Sequence, residues 1–135
     1  MEILSSRILL RPVDLEASRA FYRDTLGLAI FREFGEGPTR GTVFFLGGGF
    51  LEVSHGSWER PGRNIAFWLQ VRDARAAHDE LVEKGVEILR PPVQEPWGLV
   101  EMWIEDPDGV RIALIEVPDD HPLRSGLNRP LRRQL

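Results

Sequence analysis

Apolar and polar positions along this chain switch between a helical period and a period of two, and they do so twice. Residues 14–27 (DLEASRAFYRDTLG) carry Leu15, Ala17, Phe21, Tyr22 and Leu26 near helical spacing, with Asp14 placed to cap the start and Gly27 to stop the end. About 59 residues later, 73–85 (DARAAHDELVEKG) repeat the design. Runs with a period of two read as strands. They cover 3–10, 28–34, 42–46 and 50–54 in the first half, and 65–71, 86–89, 99–105 and 110–116 in the second. Residues 35–40 and 91–98 read as loops, 55–62 as a linker, and Gly47-Gly48-Gly49 as a hairpin turn. Each half is therefore β-α-β-β-β. The pattern predicts an α+β domain over 1–117, built from two tandem βαβββ modules at 1–56 and 63–117. Residues 118–135 turn polar and basic and read as a mobile tail or as a segment packed on a partner subunit.

Alternation also sorts the strand faces. Ile8 and Leu10, Leu51 and Val53, Phe67 and Leu69, Met102 and Ile104, and Ile112 and Leu114 form an aliphatic side suited to carry the helices. The opposite side mixes Arg7, Phe44, Phe50, Glu52, Trp68, Glu101, Trp103 and Arg111, the make-up of a concave ligand surface. Trp68 and Trp103 could sandwich a planar aromatic ligand, and equally could fill core. Trp97 and Trp58, in loops, could close over a cavity mouth, plug a hinge or meet a second subunit.

Composition narrows the function classes. The chain has 135 residues, a net charge of −4 with the signs interspersed, and no cysteine. That removes disulfides, thiolate–zinc sites and thiol nucleophiles, and gives no support to nucleic-acid or membrane binding. No apolar run approaches a bilayer span, and the first residues lack the pattern of a signal peptide, so a cytoplasmic protein is expected. Gly47-Gly48-Gly49 precedes no helix and cannot act as a phosphate cradle. Asp106-Pro107-Asp108-Gly109 lacks the later ligands of a calcium loop. Of the histidines, only His55 falls near Glu52 in sequence, while His78 lies mid-helix and His121 in the tail.

Residues 13–28 (VDLEASRAFYRDTLGL), together with Asp106-Pro107-Asp108-Gly109 and the following strand, resemble the glyoxalase/bleomycin-resistance/dioxygenase superfamily of vicinal oxygen chelate proteins. The resemblance implies paired βαβββ modules, a curved mixed sheet with a concave ligand cavity, helices on the outer face, and a homodimer. The family's metal enzymes place one ligand on the first and one on the last strand of each module. Carried onto this chain, those positions are Arg7, Glu52, Ala66 and Ala113. Only Glu52 has a lone pair suited to a cation. A bidentate Arg7–Glu52 pair could stand in for the ion. No cofactor, metal ligand or catalytic residue is expected. The resemblance then implies the metal-free branch of the family, the bleomycin-resistance-like proteins that sequester a planar aromatic antibiotic or metabolite. The alternative is a lyase, isomerase or dioxygenase using Glu52 as a base or with a recruited metal. Glu52 with Glu101 would supply two carboxylates, and Glu52 with His55 two metal donors.

Overall fold

A computed structural model describes residues 1–124, and the remainder of the tail expectation lies outside the described residues. In chain order the elements are β1 (Arg7–Leu10), α1 (Leu15–Ala20) running into a π turn (Phe21–Thr25), β2 (Ile30–Phe34), β3 (Gly41–Leu46) and β4 (Gly49–Ser54). They continue with β5 (Ala66–Val71), α2 (Ala74–Glu83), β6 (Ile88–Gln94), β7 (Val100–Glu105) and β8 (Arg111–Glu116). The first sheet has the order β1-β4-β3-β2 and the second β5-β8-β7-β6, so the predicted repeat is a repeat of topology. Two compact units result. One is Met1–Ala66 with the turn Glu105–Arg111, and among the described residues the other is Phe67–Ile104 with 112–124.

The helices start and stop as local chemistry dictates. Asp14 and Asp73 each accept a hydrogen bond from the backbone N–H three residues on, at 3.0 Å. Gly27 and Gly85 follow at φ of 69° and 80°, the left-handed region open to glycine. Gly27 follows Asp14 by thirteen positions, and Gly85 follows Asp73 by twelve. The π turn absorbs the extra one. Leu28 N–H reaches back six residues to the Tyr22 carbonyl, whereas Val86 N–H reaches back five to Leu81, both at 3.0 Å.

In the first unit, Leu10, Phe21, Tyr22, Phe44, Leu51 and Val53 are buried. The Tyr22 hydroxyl donates to Asp106 Oδ2 at 2.7 Å, and Asp106 Oδ1 accepts from the N–H groups of Asp108 and Val110 at 2.8 and 2.9 Å. Asp108 in turn accepts from Val13 N–H at 3.2 Å. Burial, with Asp106 beside it, pushes the Tyr22 phenol far above its ordinary range, so it remains a donor. The two stretches that carry the family resemblance are thus one buried device, and the Asp-Pro-Asp-Gly turn is an anchor for α1. Buried Arg19 adds a second tie, donating to Thr42 Oγ1 at 2.8 Å and to Glu33.

Two boundaries differ most from expectation. β1 begins at Arg7, four residues later than the hydrophobic pattern suggested. β6 runs through Pro91 and Pro92 to Gln94, where a loop was expected. It is an edge strand, so the missing proline N–H groups need no ladder partner, and the register shifts between Arg90 and Val93 where the prolines fall. The start of the tail is held: Arg124 donates to the Val117 carbonyl at 3.0 Å and His121 lies 2.9 Å from the Trp97 carbonyl oxygen.

Candidate functional site

The face that carries Glu52 in the first sheet is set by strand register. β1 lies parallel to β4, with Arg7 opposite Phe50 and Leu9 opposite Glu52. β3 lies antiparallel on the other side, with Phe45 opposite Phe50 and Val43 opposite Glu52. Directly opposed residues share a face. Arg7 Nη1 donates to Glu52 Oε1 at 2.9 Å, and the Ser54 hydroxyl donates to Glu52 Oε2 at 2.7 Å. The expected Arg7–Glu52 pair therefore forms, but through one guanidinium nitrogen, because Ser54 takes the oxygen a bidentate fork would need. Glu52 is 8% exposed and the Arg7 side chain 36%. The Ser54 hydroxyl, with the charges of Arg7 and His55, holds the Glu52 carboxyl below its ordinary range despite the opposing effect of burial. His55 is itself exposed, in a left-handed conformation at φ 46°.

Beside this pair lies an aromatic platform. Phe31 and Phe50 ring centroids are 4.8 Å apart, Phe31 and Phe45 5.2 Å, and Phe45 and Phe50 5.6 Å. Phe31 and Phe45 keep 49% and 45% of their surface exposed. Phe44, expected on this face, is on the other side. It opposes Leu51, is fully buried, and packs against Tyr22 at 6.4 Å. Phe45 takes its place, and neither Phe45 nor Phe31 was singled out from the sequence.

The expected residues of the second unit are differently employed. Trp103 packs on a buried cluster of Leu99, Ala113, Ile115 and Val117. Trp68 is half exposed on the edge strand β5, and no ring contact joins it to Trp103 among the described residues. Glu101 is buried and accepts from Trp97 Nε1 at 2.6 Å, so the carboxylate holds the loop indole in place. Arg111, at the end of the turn that belongs with the first unit, lies 3.6 Å from Glu105 through Nε. Trp58 is fully exposed, and His78 pairs with Asp79 at 3.2 Å on α2. A surface depression of about 380 Å³ lined by Glu33, Phe34, Glu36 and Arg40 contains none of the expected site residues.

The residues present do not fit a divalent cation. Of the four positions at which the resemblance places metal ligands, Arg7 offers only donors, Ala66 and Ala113 offer no polar side-chain atom, and both oxygens of Glu52 already accept hydrogen bonds. Among the described residues, no three His, Asp or Glu side chains gather as metal ligands. Nor is any helix among them long and apolar enough to cross a membrane.

Comparison with known proteins agrees with the topology. A protein from Synechocystis named "Probable lactoylglutathione lyase" is 29% identical over 120 residues, covering 80% of this chain and 91% of its own length. A lactoylglutathione lyase of Neisseria meningitidis is 28% identical over 120 residues, covering 80% and 86%. The crystal structure of a glyoxalase/bleomycin resistance protein/dioxygenase superfamily member from Sphaerobacter thermophilus superposes with a TM-score of 0.68 at 28% identity, covering 87% of this chain and 98% of that one. The family model described as Glyoxalase/Bleomycin resistance protein/Dioxygenase superfamily matches residues 5–114, and the chain belongs to that superfamily.

Proposed function

We propose that this protein binds a planar aromatic small molecule on the Glu52 face of its first sheet and sequesters it without catalysis, as a cytoplasmic homodimer. One observation carries the reading: an arginine–carboxylate pair stands where the resemblance would place two metal ligands, with a partly exposed three-phenylalanine platform beside it. Rings of this kind stack on flat aromatic ligands, while the polar pair orients them. Glu52 is poorly suited to act as a base. Its carboxyl is held below the ordinary range, so near neutral pH it has little tendency to take up a proton.

The second reading is an enzyme of the lyase or isomerase type, and it draws on the names of the lactoylglutathione lyases at 28–29% identity. Titration calorimetry with fused-ring compounds, before and after treatment with a chelator, separates the two. The binding reading expects saturable binding that the chelator leaves unchanged, and a loss of about 1–3 kcal/mol in Phe50→Ala if stacking carries affinity. A tightly held stoichiometric divalent cation, or turnover that the chelator abolishes, would give the enzyme reading the site.

A further inference from the structure

We infer that the ligand taken by this face is an aromatic anion, an arene bearing a carboxylate at its edge. The inference rests on the binding reading above and adds the chemical class of the ligand. It follows from which atoms of the polar pair are spoken for. Glu52 has two oxygens, and each already accepts a hydrogen bond, one from Arg7 and one from Ser54. The carboxylate is almost wholly buried, so it has little to offer an arriving cation. The guanidinium is in the opposite condition. Of its three nitrogens, Nη1 is committed to Glu52, and among the described residues Nη2 and Nε make no hydrogen bond. Arg7 is an exposed residue, with about a third of its side chain open to solvent.

The pair is therefore asymmetric. Its acceptors are buried and used, whereas its remaining donors are free on an exposed side chain. A ligand must bring acceptors to it, and a carboxylate matches the fork of a guanidinium with two parallel N–H···O bonds. Placement supports the same class. Arg7 sits opposite Phe50 in the parallel ladder, so the fork lies at the margin of the platform formed by Phe31, Phe45 and Phe50. An arene resting on the rings would meet Arg7 with a substituent on its edge. Glu52 serves as a positioning residue: one bond to Nη1 on an edge strand restrains the arginine and leaves its remaining donors available. A cationic arene would find the guanidinium at the platform edge and no unoccupied carboxylate oxygen.

The test is a calorimetric ranking of three probes with one ring system, 2-naphthoate, 2-naphthalenemethanol and 2-naphthalenemethylammonium, at neutral pH and fixed salt. We expect naphthoate to bind about tenfold more tightly than the alcohol, and the ammonium most weakly. Arg7→Met should shrink the ratio between naphthoate and alcohol to less than about twofold. Arg7 is on an exposed edge strand, and the wild-type ranking is informative even if that variant folds poorly. Equal affinities for all three probes, or a preference for the ammonium, would overturn the anion inference and leave aromatic binding standing. Binding of none of the three would overturn aromatic binding and the inference together. A naphthoate preference that survives Arg7→Met would show that the selectivity lies elsewhere, and would also overturn it.

Discussion

In the first module, the strand face bearing Glu52 presents a polar pair at one place and half-exposed phenylalanine rings at another. In the second module, the face bearing Ala113 has become core: Leu99, Ala113, Ile115 and Val117 are buried together and Trp103 packs on them. The strand order is the same in both. The caps are also the same, an aspartate at the start and a left-handed glycine at the end of each helix. The two modules thus share the parts that build the fold and differ in the residues on this face. One face is packed with aliphatic side chains, while the other leaves a polar pair and phenylalanine rings partly open to solvent.

The sharpest way to break this contrast is to delete one aromatic ring at a time. Phe44 is fully buried against Tyr22, so Phe44→Ala should cost roughly 3–5 kcal/mol in chemical denaturation. Trp103→Ala should cost about 2 kcal/mol, because the indole is only partly buried on its cluster. Phe45→Ala, next in sequence to Phe44 but about half exposed, should cost less than about 1 kcal/mol. If Phe45→Ala proved as damaging as Trp103→Ala, the first module's face would be core too, and the division between modules would fail.

Between Phe44→Ala and Trp103→Ala in size, a loss of about 3 kcal/mol is expected from Asp106→Ala. The change leaves the Tyr22 hydroxyl and the N–H groups of Asp108 and Val110 without their acceptor. Tyr22→Phe removes only the hydroxyl and should cost about 1–2 kcal/mol, most of it because Asp106 then stays buried with one bond fewer. Should both variants unfold at the wild-type denaturant midpoint, the turn would not be anchoring α1. Below these come the caps. Asp14→Ala and Asp73→Ala should each lose about 1 kcal/mol, and by similar amounts, since the two bonds are alike in length and exposure.

What could be read from the chain alone divides along the same line. Caps, glycine stops and the succession of strands and helices along the chain were legible because each depends on near neighbours in sequence. The Arg7–Glu52 pair was legible because it depends on the parity of two strands that alternate cleanly. Phe44 was misplaced because residues 42–46 (TVFFL) are apolar on both faces, so alternation cannot choose between them. The choice rests on the hairpin. With all three glycines in the turn, Phe44 would oppose Glu52. The turn uses only Gly47 and Gly48, and Leu46 opposes Gly49, which flips every β3 side chain to the other face. Phe31 was missed for a related reason: the register of β2 slips between Ile30 and Arg32, and no local pattern announces a bulge. The role of Glu101 was hidden because its partner Trp97 lies in a loop, whose geometry is not set by periodicity.

The smallest expected effect concerns acid. The Glu52 carboxyl lies below its ordinary range in the folded protein, so the unfolded chain takes up a proton at higher pH than the folded one. Glu52 therefore contributes stability that is present above the unfolded value of about 4.3 and is lost as pH falls through the folded value. Asp106 acts with the opposite sign. Burial raises its carboxyl, so the folded state gains the proton first, and the contribution of Asp106 improves as pH falls through that raised value. Ala113, at the corresponding position of the second module, has no titrating group, so this part of the acid response belongs to the first module alone. Melting temperatures of the wild type and Glu52→Gln, followed from about pH 7 to about pH 3, should differ most at the neutral end and converge in acid. The difference should be modest, because water reaches the Arg7 side of the pair and screens it. A gap between the two proteins that stays constant across that range would mean that the charge on Glu52 does not hold Arg7 in place, and the first module's polar pair would then be held by packing alone.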